Sequence, residues 1–282
     1  MKVFNNFNLE NFNAYNLSSV CSRAYFPDCE ADIINVIQKA RPIVIGNGNN
    51  LILTKQFYKE DFLILNGCFQ KVMLEKEIII AEAGATLFDL SETAFQNNLS
   101  GLEIFYDIPS SVGGAVVMNA GTKEVEIKDL LIKVRYLDLV DGKIKEIYKE
   151  DIGFEYRNSF FQENVNTIIL KVWFKLEKGD PLKIKSKMLL NKEIRWSKQP
   201  RDYPNCGSVF KRPPGRFVGP MLDELGLKGF TIGGAKISEK HSGFIVNTGN
   251  ATGKDILQII EIVQKKVKEK FGVDLEIEQR II

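Results

Sequence analysis

A run of glycine and asparagine, Gly46-Asn47-Gly48-Asn49-Asn50, separates two short apolar stretches, Pro42-Ile43-Val44-Ile45 and Leu51-Ile52-Leu53. That placement limits the fold more than any other feature of the chain. Both flanking stretches read as buried strands, so the glycines join strand to strand. A doubly wound dinucleotide fold needs such glycines between a strand and a helix, with an acidic residue suitably placed after a strand. Neither is present. Two readings stay open for the run. It can form a nest of backbone N–H groups around an anionic group, or a plain hairpin turn, for which Asn-Gly is the strongest signal.

Elsewhere the periodicity alternates between the two regular structures. Residues 31–39 read as a short helix with Ile33, Ile34 and Ile37 on one face. Strands are expected at 62–66 and 78–83, then a helix after Gly84 carrying Leu87, Leu90 and Ala94. Residues 130–140 and 167–176 alternate apolar and polar, as half-exposed strands do. From Lys178 to Gln199 the chain turns strongly basic and helical, and residues 206–250 read as glycine-rich with short strands. An amphipathic helix is expected over 253–270, with Ile256, Ile259, Ile260, Val263 and Val267 on one stripe. The stretch Val273 to Ile282 reads as a strand. The expected class is α+β in two parts, without repeats.

The composition excludes several kinds of function. Net charge is +2 with Lys and Arg spread throughout the 282 residues, so there is no electrostatic footprint for nucleic acid. The single histidine, His241, rules out a multi-histidine metal centre, and the four cysteines lack CxxC spacing, so no metal is expected and the thiols are expected to be reduced. No apolar run approaches the length of a membrane span, and Met1 to Asn6 contains no secretory apolar region, so a cytoplasmic protein without a membrane partner is expected.

Some residues carry chemistry by type. Arg157, in Tyr156-Arg157-Asn158-Ser159, is a permanent planar cation suited to holding a carboxylate or enolate by two parallel bonds, or else a surface ion pair. Ser208 follows Gly207 on a turn with no base nearby, so it reads as a proton donor to a strongly basic carbanion, or as a turn former. Alternation puts Glu278 on one face with Glu276 and Arg280, either a site wall or a solvated strand. A second glycine-rich element runs Ile108-Pro109-Ser110-Ser111-Val112-Gly113-Gly114-Ala115 and on to Asn119. It could let backbone approach a flat group, with Asn119 reading an amide edge, or pack tightly in a core turn. Lys211, Arg212 and Arg216 flank Pro213-Pro214 in a rigid basic loop fit for a diphosphate, or simply solvated. His241 reads as a packing or substrate-contact residue.

Taken in order, these motifs resemble the UDP-N-acetylenolpyruvoylglucosamine reductase family. The resemblance runs through Gly46–Leu51, Gly101-Leu102-Glu103, Ile108-Pro109, Val112–Ala115, Asn119-Ala120-Gly121 and Tyr156–Ser159, then Cys206–Gly215, Gly233-Gly234-Ala235 and Lys240–Phe244. The Arg212-Pro213-Pro214-Gly215 form is similar to the family's type II branch. The resemblance implies an α+β FAD-binding domain of the vanillyl-alcohol-oxidase kind over 1–178, with subdomains at about 1–55 and 56–178. It further implies a helical connector at 179–200, a smaller substrate domain at 201–270, and a C-terminal strand at 271–282 that contributes to the active site. FAD and NADPH are the implied cofactors, and a UDP-sugar the implied partner of a monomeric enzyme.

By the same resemblance, Arg157, Ser208 and Glu278 are the catalytic residues. The cofactor residues are Gly46, Asn47, Gly48, Asn49, Asn50 and Leu51 at the pyrophosphate; Ile108, Pro109, Ser110, Ser111, Gly113, Gly114, Ala115 and Asn119 border the flavin, with Tyr156 and Arg280. Lys211, Arg212 and His241 are the implied substrate contacts. The chain departs from the family at Asp107 and Ser110, which stand where glycines are usual and where a positive φ is expected. Thr122-Lys123-Glu124 replaces Ala-Tyr-Gly, and Tyr15–Ser19 stands where Ile-Gly-Gly is usual. Two rivals remain: a flavoprotein of the same fold acting on another nucleotide sugar, and a non-catalytic UDP-sugar-binding relative.

Overall fold

The computed structural model describes residues 1–282 and divides into two compact units. The first comprises Met1–Asn5, Arg23–Asn47 and Glu60–Arg195; the second comprises Asn6–Ser22, Gly48–Lys59 and Trp196–Ile282.

The first unit is built on a five-stranded antiparallel sheet, in the order Ile144–Tyr148, Leu131–Asp138, Thr167–Lys175, Ile78–Glu82, Val72–Glu75. The alternation at 130–140 and 167–176 is the origin of its two central strands. Val134 pairs with Val172, which pairs in turn with Ala81, and all three are buried. Helix Leu87–Gln96 buries Leu87, Leu90, Ser91 and Ala94, and starts in a capping box between Thr86 and Asp89. A separate parallel pairing joins Ile43–Ile45 to Phe62–Ile64, which also pairs with Ala24 and Tyr25. The basic stretch forms the helix Pro181–Lys198, of which only Ile184 and Met188 are buried.

The second unit packs the helix Gly253–Phe271 on a three-stranded antiparallel sheet, Thr231–Ile232, Ala235–Ile237 and Ile245–Asn247. The expected stripe is the buried one: Ile256, Ile259, Ile260, Val263 and Val267. The helix opens on a Thr252–Asp255 capping box and closes on Gly272.

Three sequence readings change. The hairpin at 46–50 falls, because Ile43–Ile45 pairs with Phe62–Ile64 whereas Leu51–Ile52 pairs in parallel with Arg280–Ile281. Within 206–250 a helix appears at Val218–Glu224. Gly219 and Pro220 hide it from a propensity reading, yet proline costs nothing in a first turn, where its missing N–H has no partner to lose. The tail Val273–Ile282 is extended but ladders only at Arg280–Ile281, with an isolated bridge between Ile277 and Phe210.

Ile259 is completely buried at the helix–sheet interface. Its replacement by alanine is expected to cost about 2–5 kcal/mol, read as a lower urea midpoint at unchanged m-value.

Candidate functional site

In the first unit the two glycine-rich elements converge. A Cβ added to Gly46 would lie 2.1 Å from Ser111 Oγ, so only glycine lets the loop approach the serine. Ser111 in turn caps the short helix Val112–Val117, its hydroxyl accepting from Gly114 N at 3.2 Å. The turn is tied down by backbone bonds from Val112 N to Ala85 O and from Gly113 N to Ala83 O. A Cβ on Gly113 would meet Ala83 Cβ at 3.0 Å, so Gly113 serves packing against the neighbouring strand. Ala115 is fully buried.

The expected need for positive φ at this turn is not met. Asp107, Ser110 and Ser111 all lie outside the left-handed region, and Ser111 sits at φ −75°. Glycine is therefore dispensable here, and Asp107 is held instead by the helix Pro181–Lys198. Arg195 Nη1 hydrogen-bonds the Asp107 carbonyl and lies 3.5 Å from its carboxylate.

Asn47 offers the clearest mark of a polar ligand: its Oδ1 is buried with no hydrogen-bond partner. Buried polar atoms are nearly always satisfied. The N–H groups of Gly46 and Asn47 likewise donate to no protein acceptor.

Arg157 adopts φ +55°, uncommon for a residue with a side chain and costly by roughly 1–2 kcal/mol. Its guanidinium donates to Asn119 O at 3.3 Å and Gly121 O at 3.0 Å, and Nη1 lies 3.9 Å from Glu126 Oε1. It packs at 5.1 Å from the half-exposed Tyr156 ring. Asn119 is fully buried at φ +42°; its amide donates to Glu126 Oε2 and to Glu155 O and accepts from Lys128 N. Glu126, which the sequence reading missed, joins Asn119, Lys128 and Arg157. In the structure it also forms a capping box with Asp129 at the start of the short helix Ile127–Leu130, without the Ser or Thr that would mark one in the sequence.

In the second unit the loop carbonyls are engaged while the N–H groups of Gly48, Asn49 and Asn50 donate to no protein acceptor. Ala14 N donates to Gly48 O, and Arg280 N to Asn50 O at 2.9 Å. Asn50 Nδ2 donates to Glu278 O at 3.1 Å, and Leu51 O accepts from Cys206 Sγ. Ser208 is exposed, one residue after Gly207, whose φ of +77° demands glycine. Val209 N bonds to Gly243 O, and Glu278 N to Val209 O at 2.8 Å, so Ser208 and Glu278 sit on adjoining extended segments.

The proposed substrate contacts are arranged differently. Lys211 Nζ is paired with Glu276 at 2.6 Å, and Arg212 stacks over the Phe217 ring at 3.7 Å. His241 Nδ1 accepts from Gly243 N at 3.1 Å, and its ring packs edge-on against Phe244.

Two tests follow from this geometry. Replacing Asn119 with alanine strands Lys128 N and Glu155 O, and should cost about 2–4 kcal/mol in urea unfolding. Burial pushes the His241 pKa below its ordinary 6.5. Above that pH both states are neutral there. As pH falls below it the unfolded chain gains the proton first, so stability is lost. His241→Gln should remove that part of the loss between pH 7.5 and 5.5.

Residues 199–282 match the family model for the UDP-N-acetylenolpyruvoylglucosamine reductase C-terminal domain, and residues 22–148 match an FAD binding domain. UDP-N-acetylenolpyruvoylglucosamine reductase of Caldanaerobacter subterraneus subsp. tengcongensis is 44% identical over 261 residues, covering 91% of this chain and 85% of that protein. The enzyme of the same name from Lactobacillus gasseri is 47% identical over 240 residues, 85% of this chain and 78% of that protein. The crystal structure of UDP-N-acetylenolpyruvylglucosamine reductase from Thermus caldophilus aligns with a TM-score of 0.85 at 32% identity, covering 99% of this chain and 98% of that one. On this likeness along nearly its whole length, the chain belongs to the UDP-N-acetylenolpyruvoylglucosamine reductase family.

Proposed function

We propose that this chain reduces the enolpyruvyl ether of UDP-N-acetylglucosamine to UDP-N-acetylmuramate, a step in peptidoglycan precursor synthesis. Family membership supports the reaction, with FAD as cofactor and NADPH as reductant. The observation that carries the reading is the hydrogen bond from Glu278 N to Val209 O, which sets Ser208 and Glu278 on adjoining segments. The residues present also fit FAD: Asn47 Oδ1 lacks a partner, and the N–H groups of Gly46–Asn50 are unspent on the protein. The N–H groups of Gly46 to Asn50 would donate to its pyrophosphate and Asn47 Oδ1 would accept from a hydroxyl or N–H of the cofactor, while Ser110, Ser111 and Gly114 would border the ring system. Asn119, buried with its amide spent on Glu126, Glu155 and Lys128, would support that wall from behind.

When bound, FAD supplies the hydride, taken from NADPH, that adds to the β-carbon of the enolpyruvyl group. The negative charge then left on the α-carbon spreads into the adjoining carboxylate as an enolate. Arg157 is assigned the carboxylate, since a preorganised planar cation stabilises developing charge without reorganising at the moment of reaction. Ser208 is assigned delivery of the proton to the α-carbon; a weak acid suffices for so basic a carbon. Glu278 is assigned a second stabilising contact to the enolate. The proposed division of labour gives FAD to residues 1–178 and the sugar nucleotide to residues 201–270. The same reading makes the protein a cytoplasmic monomer whose partners are small molecules; no helix is long and apolar enough to cross a membrane.

Replacing Ser208 with alanine separates the half-reactions. Flavin reduction by NADPH should proceed at the parent rate, and reoxidation by the enolpyruvyl UDP-sugar should slow by about 10²–10⁴-fold, followed by anaerobic stopped-flow absorbance. Reoxidation at the parent rate would remove Ser208 from the chemistry.

A further inference from the structure

Ser208 is exposed and follows a left-handed glycine; its backbone is bridged to Phe244 on one side, so the aim of its hydroxyl also depends on how the carbonyls of the preceding turn are held. The second unit supplies one candidate, Gln279, which lies between the tail residues Glu278 and Arg280 and is buried to 4% exposure. Its Nε2 lies 3.2 Å from Cys206 O, 3.3 Å from Gly207 O and 3.4 Å from Ser208 O. Three successive carbonyls thus converge on one amide. Their dipoles repel one another, and the amide at their focus supplies the donor that offsets this repulsion across the Gly207 turn.

The orientation of that amide is itself fixed. Its Oε1 accepts from Tyr15 OH at 2.9 Å. A flipped amide would set oxygen against three carbonyl oxygens and nitrogen against a hydroxyl donor, so the partners leave one assignment. Tyr15 is completely buried, and burial raises its pKa well above 10, which keeps the hydroxyl proton available to donate. Tyr15 is anchored in turn, because its carbonyl accepts from Asn247 Nδ2 at 2.8 Å, and Asn247 N donates to Pro204 O. The chain of contacts therefore returns to the loop that leads into Cys206. All of these residues belong to the second unit.

We propose that Gln279, oriented by Tyr15, is a positioning residue for Ser208: it gathers the carbonyls of Cys206, Gly207 and Ser208 and so aims the serine hydroxyl. This rests on the proton-donor role of Ser208. Displacing a reacting group by about an ångström can cost about 10²-fold, whereas reduction of the flavin by NADPH does not involve Ser208. The pair therefore acts on one half-reaction and not the other. A residue that merely stabilises the fold would lower the melting temperature or the amount of bound flavin without that selectivity.

The test uses the full-length, FAD-loaded protein and four variants: Gln279→Leu, Tyr15→Phe, Ser208→Ala and Gln279→Leu with Ser208→Ala. Reduction by NADPH and reoxidation by the enolpyruvyl UDP-sugar are timed separately, per flavin bound. Gln279→Leu should slow reoxidation by about 10–100-fold and Tyr15→Phe, which keeps the ring and the amide, by about 3–10-fold, both at parental reduction rates. In the Ser208→Ala background Gln279→Leu should cost nothing further, because the group it positions is gone. If Gln279→Leu does not fold, Tyr15→Phe decides by the same selectivity. Reoxidation at the parent rate in the variants, or equal slowing with Ser208 absent, overturns the positioning role alone. Failure of the unaltered protein to reoxidise overturns the reductase reading and this role with it.

Discussion

The carboxy-terminal tail is the segment on which the second unit's chemistry depends. It is extended but hydrogen-bonded to more than one neighbour. Lys211 N reaches Glu276 O and Glu278 N reaches Val209 O, while Arg280 N reaches Asn50 O and Ile282 N reaches Ile52 O. These bonds tie the serine loop and the glycine–asparagine loop to a single strand of chain. Glu278 and Gln279 lie within it, so the register of the tail sets both the carboxyl and the amide that faces the serine loop. A slip of one residue would exchange Gln279 with a neighbour and put a carboxylate or a guanidinium in its buried place against the carbonyls of Cys206, Gly207 and Ser208, a costly burial of charge. The tail is thereby held in one register.

The first unit meets an analogous demand by straining its backbone. Asn119 and Arg157 both take left-handed conformations, and each uses its polar groups to hold the other's neighbourhood in place. The Glu126 carboxylate, shared among Asn119, Lys128 and Arg157, offsets the cost of confining a guanidinium that is only 19% exposed. Such strain persists only where surrounding contacts over-determine it. Here those contacts are the carbonyls of Asn119 and Gly121 and the amide network behind them.

Residue type singled out Arg157, Ser208 and Glu278 as chemistry-bearing, because permanent charge, a hydroxyl after glycine and alternation in an extended tail are local properties; it left a structural reading open for each, and their joint assignment came from the family resemblance. The amphipathic helix and the central strands were legible because their periodicity is likewise local. Gln279 and Tyr15 were not, since their roles arise from partners distant in the sequence, 264 residues apart; Glu126 was not, since its tie to Arg157 joins segments that only the fold brings together. The glycine-rich turn misled in an instructive way. Its serine provides a helix cap at ordinary φ, and Arg195 clasps Asp107, so the turn closes without the flexibility that glycine would bring. The hairpin reading failed because strand partnership is decided by tertiary pairing, to which an Asn-Gly dipeptide is blind.

The most direct test of the account is the visible absorbance of the purified, FAD-loaded protein under anaerobic conditions, followed through two additions. The flavin band should bleach on adding NADPH and return on adding the enolpyruvyl UDP-sugar, with UDP-N-acetylmuramate formed in equal amount. A band that bleaches and does not return, or a protein that takes up no FAD, would contradict it.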